Sequence, residues 1–534
     1  MADVVILNAK VWTVNAAQPT AEAVAVVADR IAAVGSTAEI RTLAGPGARV
    51  VDAGGRLVLP GFNDAHMHLV QGGFMLLSID LRPAMNEEQF AGMLRDHVAA
   101  LPKGTWVTGG NWDHESWPGG RRPTRRLIDP VTSDHPVLVR RIDGHVALAN
   151  SLALKLADVT RGTADPPGGH IERDPDGQPT GILVDTAQTL VGRLVPEPGK
   201  AESLDAVRAA MRHAARVGVT SVQTPSSVNE FRVFQRLHRR GELATRIYAP
   251  LQVEALDSLC ASGIEAPFGD AMLRTGAVKI FADGSLGAGS ALMFEPYDDN
   301  PSTCGLAIYD EETLCDMIRR ADAARLQAVV HAIGDKAVHW ALGAFERAAE
   351  ANGRRDARHR VEHAQLIRPD DRARVAPLGV VASIQPSHCI DDMRWVAKRM
   401  GPRTRHAYPF RSLLEAGVRV ALGTDVPVEP LDPTLGLYAA VTREFPEGGP
   451  RGGWHPEEKV TIGQAIEAYT LGSAYAEFQE HDKGSIQVGK LADMVILSRD
   501  LLTIPPSEIL GTEVDVTVLG GRLVYDREAA GGAT

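Results

Sequence analysis

The segment LPGFNDAHMH, residues 59–68, is the part of this 534-residue chain that most directly indicates its fold. An apolar run, 56–59, leads into it, and histidines follow at positions 66 and 68. Alternate side chains of a β-strand share a face, so His66 and His68 are expected to point the same way. Two converging imidazoles suit a divalent metal, although a bare His-x-His is more often a pair of ordinary surface or core histidines.

The chain beyond residue 200 alternates short apolar runs with amphipathic stretches such as 311–325 and 336–352. Near-continuous apolar strands that alternate with helices indicate a buried parallel sheet. Seven such runs, with the run before His66, make eight predicted strands, and eight units of this kind predict a TIM (β/α)8 barrel. The seven runs are 219–223, 246–251, 277–282, 327–331, 360–363, 380–384 and 418–425.

Both ends of the chain are rich in short β-type runs separated by turns. Residues 1–57 and 480–534 are therefore predicted to form one small sheet domain built from both termini. The barrel is expected to take residues 58–79 and 200–479. Residues 80–199 are less regular and rich in Pro, Gly and Arg, which is typical of an insertion that covers an active site.

The composition excludes several classes of protein. A hydrophobic fraction of 44% with 23% charged residues is that of a globular protein. The net charge of −11, with no block of Lys or Arg, argues against a nucleic-acid or anionic-membrane partner. The four cysteines form no CxxC pair, and no apolar run has membrane-spanning length. The N-terminus has an acidic residue where a signal peptide would be basic, so a cytoplasmic location is expected.

Residues of metal-binding type stand at the carboxyl ends of the predicted strands, which face the active site in a TIM barrel. Each of them alone often does no more than satisfy a hydrogen bond. Their recurrence at the ends of five strands favours a metal centre over that interpretation. The residues are His66, His68, Lys279, His331, His363 and Asp425.

Lys279 fits such a centre only if it is modified. A cationic ammonium would be repelled by a metal, whereas a carbamate formed with carbon dioxide is anionic and can bridge two metals. The alternative is an ordinary lysine paired with Asp283 or with a substrate carboxylate. The sequence leaves both open.

Six motifs together resemble the metal-dependent amidohydrolase superfamily, and within it the branch that contains N-substituted formamide deformylases. The resemblance runs nearly end to end. The motifs are PGFNDAHMH (60–68), VKIFADGSLG (278–287), HAIGD (331–335), RVEHAQ (360–365), LGTDVPV (422–428) and GKLADMVIL (489–497).

This resemblance implies a TIM barrel flanked by a composite β-sandwich, and a homodimer. It makes the histidines at 66, 68, 331 and 363 and Asp425 metal ligands, with Lys279 as a carboxylated bridge. Two Zn²⁺ ions are expected, although these donors also suit Mn, Fe or Co. The metal would provide hydroxide, and Asp425 would act as general base and then acid.

The predicted function is hydrolysis of a carbon–nitrogen bond in a small non-peptide amide or formamide. One alternative within the superfamily is deamination of a heterocycle, or opening of a cyclic amide, imide or lactone. A second alternative, from another class, is a regulatory or binding protein on an inactive barrel.

Substrate contacts are less clearly indicated by the sequence. Trp112 and Asp113, in the insertion, could form part of a lid or of a subdomain core. His145 more often makes a loop hydrogen bond than a substrate contact, and Arg394 could bind an anionic group or form a surface salt bridge. The full set of candidates is Trp112, Asp113, His145, Asp283, Gln385 and Arg394.

Overall fold

The computed structural model describes residues 1–114, 117–141 and 144–531, and its fold is mixed α/β. The chain divides into two compact units, one made of residues 1–70 and 210–534 and the other of residues 71–209. The second unit contains the whole of the predicted insertion. The predicted domain boundaries themselves stay predictions.

Two sheets of mainly parallel strands form the centre of the first unit. In order across the sheet, the first consists of Phe268–Gly269, Leu273–Thr275, Arg246–Tyr248, Val219–Gln223 and Phe62–Asp64. The second consists of Leu251–Gln252, Ala277–Phe281, Gln327–Ala332, Arg360–His363, Val381–Ile384 and Arg419–Leu422. All of these strands are parallel to their neighbours except Phe268–Gly269, which is antiparallel to Leu273–Thr275.

The chain passes directly from one of these sheets to the other. Arg246–Tyr248 in the first sheet is followed after two residues by Leu251–Gln252 in the second. At the far edge, the end of the last strand and the loop after it bond to the loop after the first strand. Ala65 N donates to Leu422 O at 2.9 Å, and Asp425 N donates to His66 O at 2.7 Å. These bonds bring the sequence motifs at 60–68 and 422–428 side by side.

The apolar run before His66 lies in a different sheet from the one that the sequence predicted. The strand Leu57–Pro60 pairs antiparallel with Met494–Leu497, near the C-terminus. The first parallel strand is instead Phe62–Asp64, which pairs with Val219–Gln223. The prediction of residues 56–59 as the first barrel strand is therefore wrong. All four side chains of Leu57–Pro60 are buried, so apolarity alone could not distinguish the two sheets.

Strands from both ends of the chain form two further sheets in the first unit. One apolar cluster draws residues from both sheets, including Ile6, Val24, Val58, Ile496 and Val518. The four-stranded sheet consists of Arg30–Gly35, Ala23–Val27, Ala2–Leu7 and Ala44–Asp52, and the six-stranded sheet of Arg522–Asp526, Val514–Leu519, Met494–Leu497, Leu57–Pro60, Lys10–Trp12 and Thr20–Ala21.

Two long helices of the first unit, Glu311–Ala323 and Asp335–Asn352, occupy the predicted amphipathic stretches. Thr461 accepts from Gln464 N and caps an α-helical segment, 462–467, which continues into a π-helical segment, 468–472, and a second α-helical segment, 473–476. The other helices of this unit are Thr37–Arg41, Val228–Arg239, Leu256–Ser262, Pro369–Val375, Pro386–Asp392, Val396–Met400, Phe410–Glu415, Pro433–Thr442, Ile462–Glu467, Ser473–Ala476 and Arg527–Gly531. Two helices contain the points at which the chain passes from one unit to the other. They are Leu69–Leu77 and Lys200–Arg216.

The second unit has a regular sheet of six strands, where the sequence predicted a less regular segment. Its strands are short and joined by turns rich in Pro, Gly and Arg, which hid the pattern. Two apolar clusters pack on this sheet, one of them around Phe90, Trp112 and Trp117. In sheet order the strands are Gly169–Arg173, Pro179–Asp185, Val146–Ala149, Leu138–Arg141, Gly109–Trp112 and Ile79–Asp80, and the helices are Glu87–Ala99, Arg125–Ile128, Ser151–Leu156 and Gln188–Gly192.

In the described parts of the chain, every helix is too short or too polar to span a lipid bilayer.

Candidate metal centre

His66 and His68 lie in the loop that follows the strand Phe62–Asp64, so the strand alternation expected for them is not what orients them. Both rings nevertheless approach one carboxylate. The His66 Nε2 atom is 3.5 Å and the His68 Nε2 atom 3.2 Å from Asp425 Oδ1. Asp64 holds the two loops together, because it accepts from His66 N at 3.1 Å and from Thr424 Oγ1 at 2.7 Å.

Three buried residues offer ligand atoms that lie close enough to hold one ion. Each of His66, His363 and Asp425 contributes one ligand atom, and these three atoms lie within 4.8 Å of one another. The His363 ring centroid is 5.0 Å from that of His66 and 4.5 Å from that of His331. The four histidines named by the motifs and Asp425 therefore come from four separate loops and strands to one place.

Burial keeps the imidazoles of His66, His331 and His363 neutral. Burial, together with nearby Lys279, lowers the pKa of His66 to about 4 and that of His331 to about 3. Burial also holds the pKa of His363 well below its ordinary value. Neutral imidazole is the form that binds metals. Burial alone would raise the pKa of Asp425, but the hydrogen bond from His68 and the other histidines hold that pKa well below its usual range.

Lys279 is fully buried, and its Nζ atom has no hydrogen-bond partner among the described residues. It lies 5.0 Å from the centroid of the Phe281 ring. Burial lowers the pKa of Lys279 to about 8, although Glu362 and Asp425 oppose this.

Asp283 does not form an ion pair with Lys279 in the structure. Its carboxylate accepts from three backbone amides, Leu292 N at 2.9 Å, Ile333 N at 3.0 Å and Gly334 N at 2.8 Å. These bonds tie the loop after Ala277–Phe281 to the loop after the next strand. The geometry favours a loop-bracing role for this carboxylate.

The backbone is strained where the ligands leave their strands. His363 has a φ of 71° and Asp425 a φ of 60°, in the left-handed region that non-glycine residues seldom adopt. Such strain concentrates at functional sites. Gly423 allows a close approach of chains here, since a Cβ at this position would lie 2.5 Å from His66 N.

Two further residues, Glu362 and His388, contact the candidate ligands, and Ser383 contacts Glu362. The Glu362 carboxylate contacts His66 Nδ1. Ser383 Oγ donates to Glu362 at 2.9 Å, and the buried His388 has its Nε2 3.8 Å from Asp425 Oδ2. A signal for Glu362 existed, because Arg360 and Glu362 are charged residues of opposite sign on one face of a strand predicted to be fully buried.

Gln385, a predicted substrate contact, lies against a candidate ligand. It accepts from His363 Nδ1 at 2.8 Å through Oε1, while its buried Nε2 has no partner among the described residues. Arg394 lies at the surface, 2.6 Å from Glu447 and 3.9 Å above the Phe445 ring. This geometry favours the surface salt bridge that the sequence left open.

The remaining substrate candidates belong to the second unit. Trp112 is fully buried and donates from Nε1 to Val139 O at 3.1 Å, which favours the core alternative. Asp113 lies 3.0 Å from Arg141 Nη2. The exposed His145 has its Nδ1 2.7 Å from Asp185 Oδ1, the kind of loop hydrogen bond that was expected for it.

Comparison with known proteins places these residues in a family context. The family described as "Amidohydrolase family" matches this chain over residues 49–525, a range that includes every candidate ligand. The chain is 37% identical to Protein LONG AFTER FAR-RED 3 of Arabidopsis thaliana, over 98% of this chain and 92% of that protein. It is 31% identical to the N-substituted formamide deformylase of Arthrobacter pascens, over 99% of each.

A solved structure agrees with the fold over almost the whole chain. The crystal structure of an uncharacterized metal-dependent hydrolase from Pyrococcus furiosus matches with a TM-score of 0.77 and 30% sequence identity. The match covers 94% of this chain and 100% of that one.

Proposed function

Because this chain belongs to the amidohydrolase family, we propose that it is a metal-dependent hydrolase that cleaves the carbon–nitrogen bond of a small non-peptide amide or formamide. The observation that carries the proposal is the buried cluster of His66, His363 and Asp425, whose ligand atoms lie within 4.8 Å of one another. The likeness to a formamide deformylase over the full length supports the choice of bond.

The proposal includes a TIM barrel made of the parallel strands and a β-sandwich made of the two terminal sheets. The bonds from Ala65 to Leu422 and from Asp425 to His66 support closure of the strands into a barrel. The apolar cluster shared by the terminal sheets supports the sandwich. The role of residues 80–199 as a cover for the site stays a prediction, as do a homodimer and a cytoplasmic location.

The donor set fits a divalent metal. It combines imidazoles with one carboxylate, which is the chemistry preferred by zinc and also accepted by Mn, Fe and Co. His66, His68, His331, His363 and Asp425 would hold the metal, and two zinc ions are proposed. When bound, such a metal lowers the pKa of water toward neutrality and polarises a substrate carbonyl.

Asp425 is the proposed general base and acid. Its carboxylate lies 3.2 Å from His68 Nε2 and 3.8 Å from His388 Nε2, so both of its oxygens face the cluster. Here it would accept a proton from the attacking water and return it to the leaving nitrogen.

Lys279 is the proposed site of a carbamate. The amine nitrogen would form a bond to the carbon of carbon dioxide and release one proton, which leaves an anionic oxygen pair. Its complete burial and the commitment of Asp283 to three backbone amides support this role over a Lys279–Asp283 ion pair.

The test compares two buried histidines from the same strand region. His363→Asn removes a proposed ligand, whereas His359→Asn removes a histidine that stacks on Phe345 and bonds to Asp322. Protein purified without chelator is assayed for bound metal and for turnover of a panel of formamides, amides and esters. Mass spectrometry tests whether Lys279 carries the added mass of a carbamate. The wild type and His359→Asn should bind metal and turn over a formamide or amide, and His363→Asn should lose both.

Other outcomes select the alternatives. About one metal per chain, an unmodified Lys279 and release of ammonia from a heterocycle would favour a deaminase-like reaction. A metal-loaded wild type that turns over nothing in the panel would favour a regulatory or binding protein.

A further inference from the structure

The strand Arg360–His363 carries a buried ion pair directly beside a candidate ligand. Glu362 is fully buried, and no proposed step of the reaction uses it. A buried carboxylate is costly unless it is paired and hydrogen-bonded, so its set of partners indicates what it is for.

Glu362 is held by three donated hydrogen bonds. Arg360 donates from Nε to Oε1 at 2.7 Å and from Nη2 to Oε2 at 3.1 Å, and Ser383 Oγ donates to Oε2 at 2.9 Å. The same Oε2 atom contacts His66 Nδ1. The carboxylate therefore lies between a guanidinium and the imidazole of a candidate metal ligand.

Arg360 is itself fixed by the strand Val219–Gln223 and by the loop after Phe62–Asp64. Its Nη2 donates to Ala65 O at 2.6 Å, and its Nη1 bonds to the Gln223 side-chain oxygen. Because the guanidinium is hydrogen-bonded on both sides, the Glu362 carboxylate that is bonded to it is held beside His66.

We propose that Glu362 is a positioning residue whose carboxylate lies against His66 Nδ1 and thereby fixes this ring with Nε2 turned toward Asp425. This inference rests on the proposed function, because it assigns the free Nε2 atom to the metal. A metal-binding imidazole that donates its other nitrogen to a carboxylate has a fixed tautomer and ring orientation.

A purely structural ion pair would explain the burial equally well, and the chain contains a matched example of one. Glu477 is a second buried glutamate of the first unit. It accepts from Asn63 Nδ2 at 2.6 Å and lies 2.8 Å from Lys483 Nζ, and neither of these partners is a candidate ligand. The two glutamates share burial and a cationic partner, but only Glu362 contacts a candidate metal ligand.

The experiment compares Glu362→Gln with Glu477→Gln in the full chain. Metal-free protein is titrated with Zn²⁺ against a chromophoric chelator, and the visible absorption spectrum of the Co²⁺-loaded protein is recorded. Glu362→Gln should weaken zinc binding about 10–100-fold and change the cobalt spectrum. Glu477→Gln should lower thermal stability but leave zinc affinity and the cobalt spectrum as in the wild type.

Glu362→Asp serves as a second variant if Glu362→Gln does not fold. It keeps the charge beside Arg360 but draws the carboxylate away from His66, so it should also weaken zinc binding and alter the cobalt spectrum. Wild-type zinc affinity in the folded Glu362 variant would overturn the inference, as would equal losses in the Glu362 and Glu477 variants. A wild-type chain that binds no zinc would overturn the proposed function and this inference together, which distinguishes the two failures.

Discussion

Two buried polar regions of the first unit differ in how well their groups are paired. In the candidate metal centre, Lys279 Nζ, Gln385 Nε2 and His388 Nε2 are buried and have no hydrogen-bond partner among the described residues. Around Arg246, at the start of its strand, the opposite holds. Arg246 forms two bonds to Asp493, at 2.7 and 2.9 Å, and a third to Ala271 O at 2.9 Å.

In the second region, the Arg246–Asp493 pair, the two charged side chains satisfy each other and need no ion or ligand. Asp493 accepts a further bond from Gly520 N at 2.8 Å, which links the parallel strands to the last hairpin of the chain. Buried polar groups are nearly always satisfied within a folded protein, and exceptions need an explanation such as an ion or a ligand. The comparison teaches that burial and charge alone do not mark a functional site, and that unpaired buried groups distinguish the candidate metal centre from the Arg246–Asp493 pair.

The largest expected effect is that of Asp425→Asn in the unpaired region. The amide cannot take a proton from water, so turnover should fall about 10²–10⁴-fold while the fold is kept. Steady-state kinetics and thermal unfolding measure the two effects. The matched control is Asp322→Asn, a buried carboxylate bonded to Arg355 and Asn352, which should cost stability without loss of turnover. An active Asp425→Asn enzyme would remove this residue from the mechanism.

The next effect belongs to the paired region. Asp493→Ala leaves the buried Arg246 guanidinium without its carboxylate and should lower the free energy of unfolding by about 3–5 kcal/mol. The folded fraction should keep the wild-type kcat. Denaturant unfolding provides the measurement, with Asp482→Ala as control, because its pair with Arg30 is exposed and should contribute little. Equal losses in the two variants would contradict the distinction between the regions.

A smaller effect is expected where the two loops of the centre touch. Gly423→Ala places a Cβ 2.5 Å from His66 N, and relief of this overlap should cost about 1–3 kcal/mol of stability and weaken metal binding. In Gly343→Ala the nearest atom is 3.9 Å away, so this helical control should be neutral or slightly stabilising. Chelator competition on both variants checks the result, and unchanged zinc affinity in Gly423→Ala would show that the contact is not needed.

The smallest effect is expected for Arg394→Ala. Its partner Glu447 and the arginine itself are about half exposed, and exposed pairs contribute little to stability. The melting temperature and the KM for a neutral substrate should both stay at wild-type values. A raised KM confined to substrates that carry a carboxylate would instead restore the anion-binding alternative.

Much of the parallel strand pattern could be predicted from the sequence. The runs 219–223 and 360–363 match observed strands residue for residue, because both lie within the regular alternation of strands and helices beyond residue 200. The run at 56–59 was assigned to the wrong sheet. Its side chains are buried in either arrangement, and its partner strand lies more than four hundred residues away, at Met494–Leu497.

The candidate ligands could be proposed from strand-end positions, but the contacts around them could not. Glu362 is adjacent to His363 in sequence, yet it contacts His66 of another loop, and only the packing of the strands brings the two together. Trp112 shows a second limit of prediction from the sequence. An aromatic residue in an insertion is compatible with a lid or with a core, and only its complete burial against Phe90 favours the core.

The sheet shared by both chain ends has a consequence for biosynthesis. The strand Leu57–Pro60, which leads into His66, leaves the ribosome long before its partner Met494–Leu497 exists. Until then, that side of the strand is an unpaired edge, a template for wrong pairing that chaperones would need to shield. The strand that leads into the loop of His66 and His68 is therefore paired on this edge only after translation is nearly complete, although the next strand, Phe62–Asp64, can pair with Val219–Gln223 earlier.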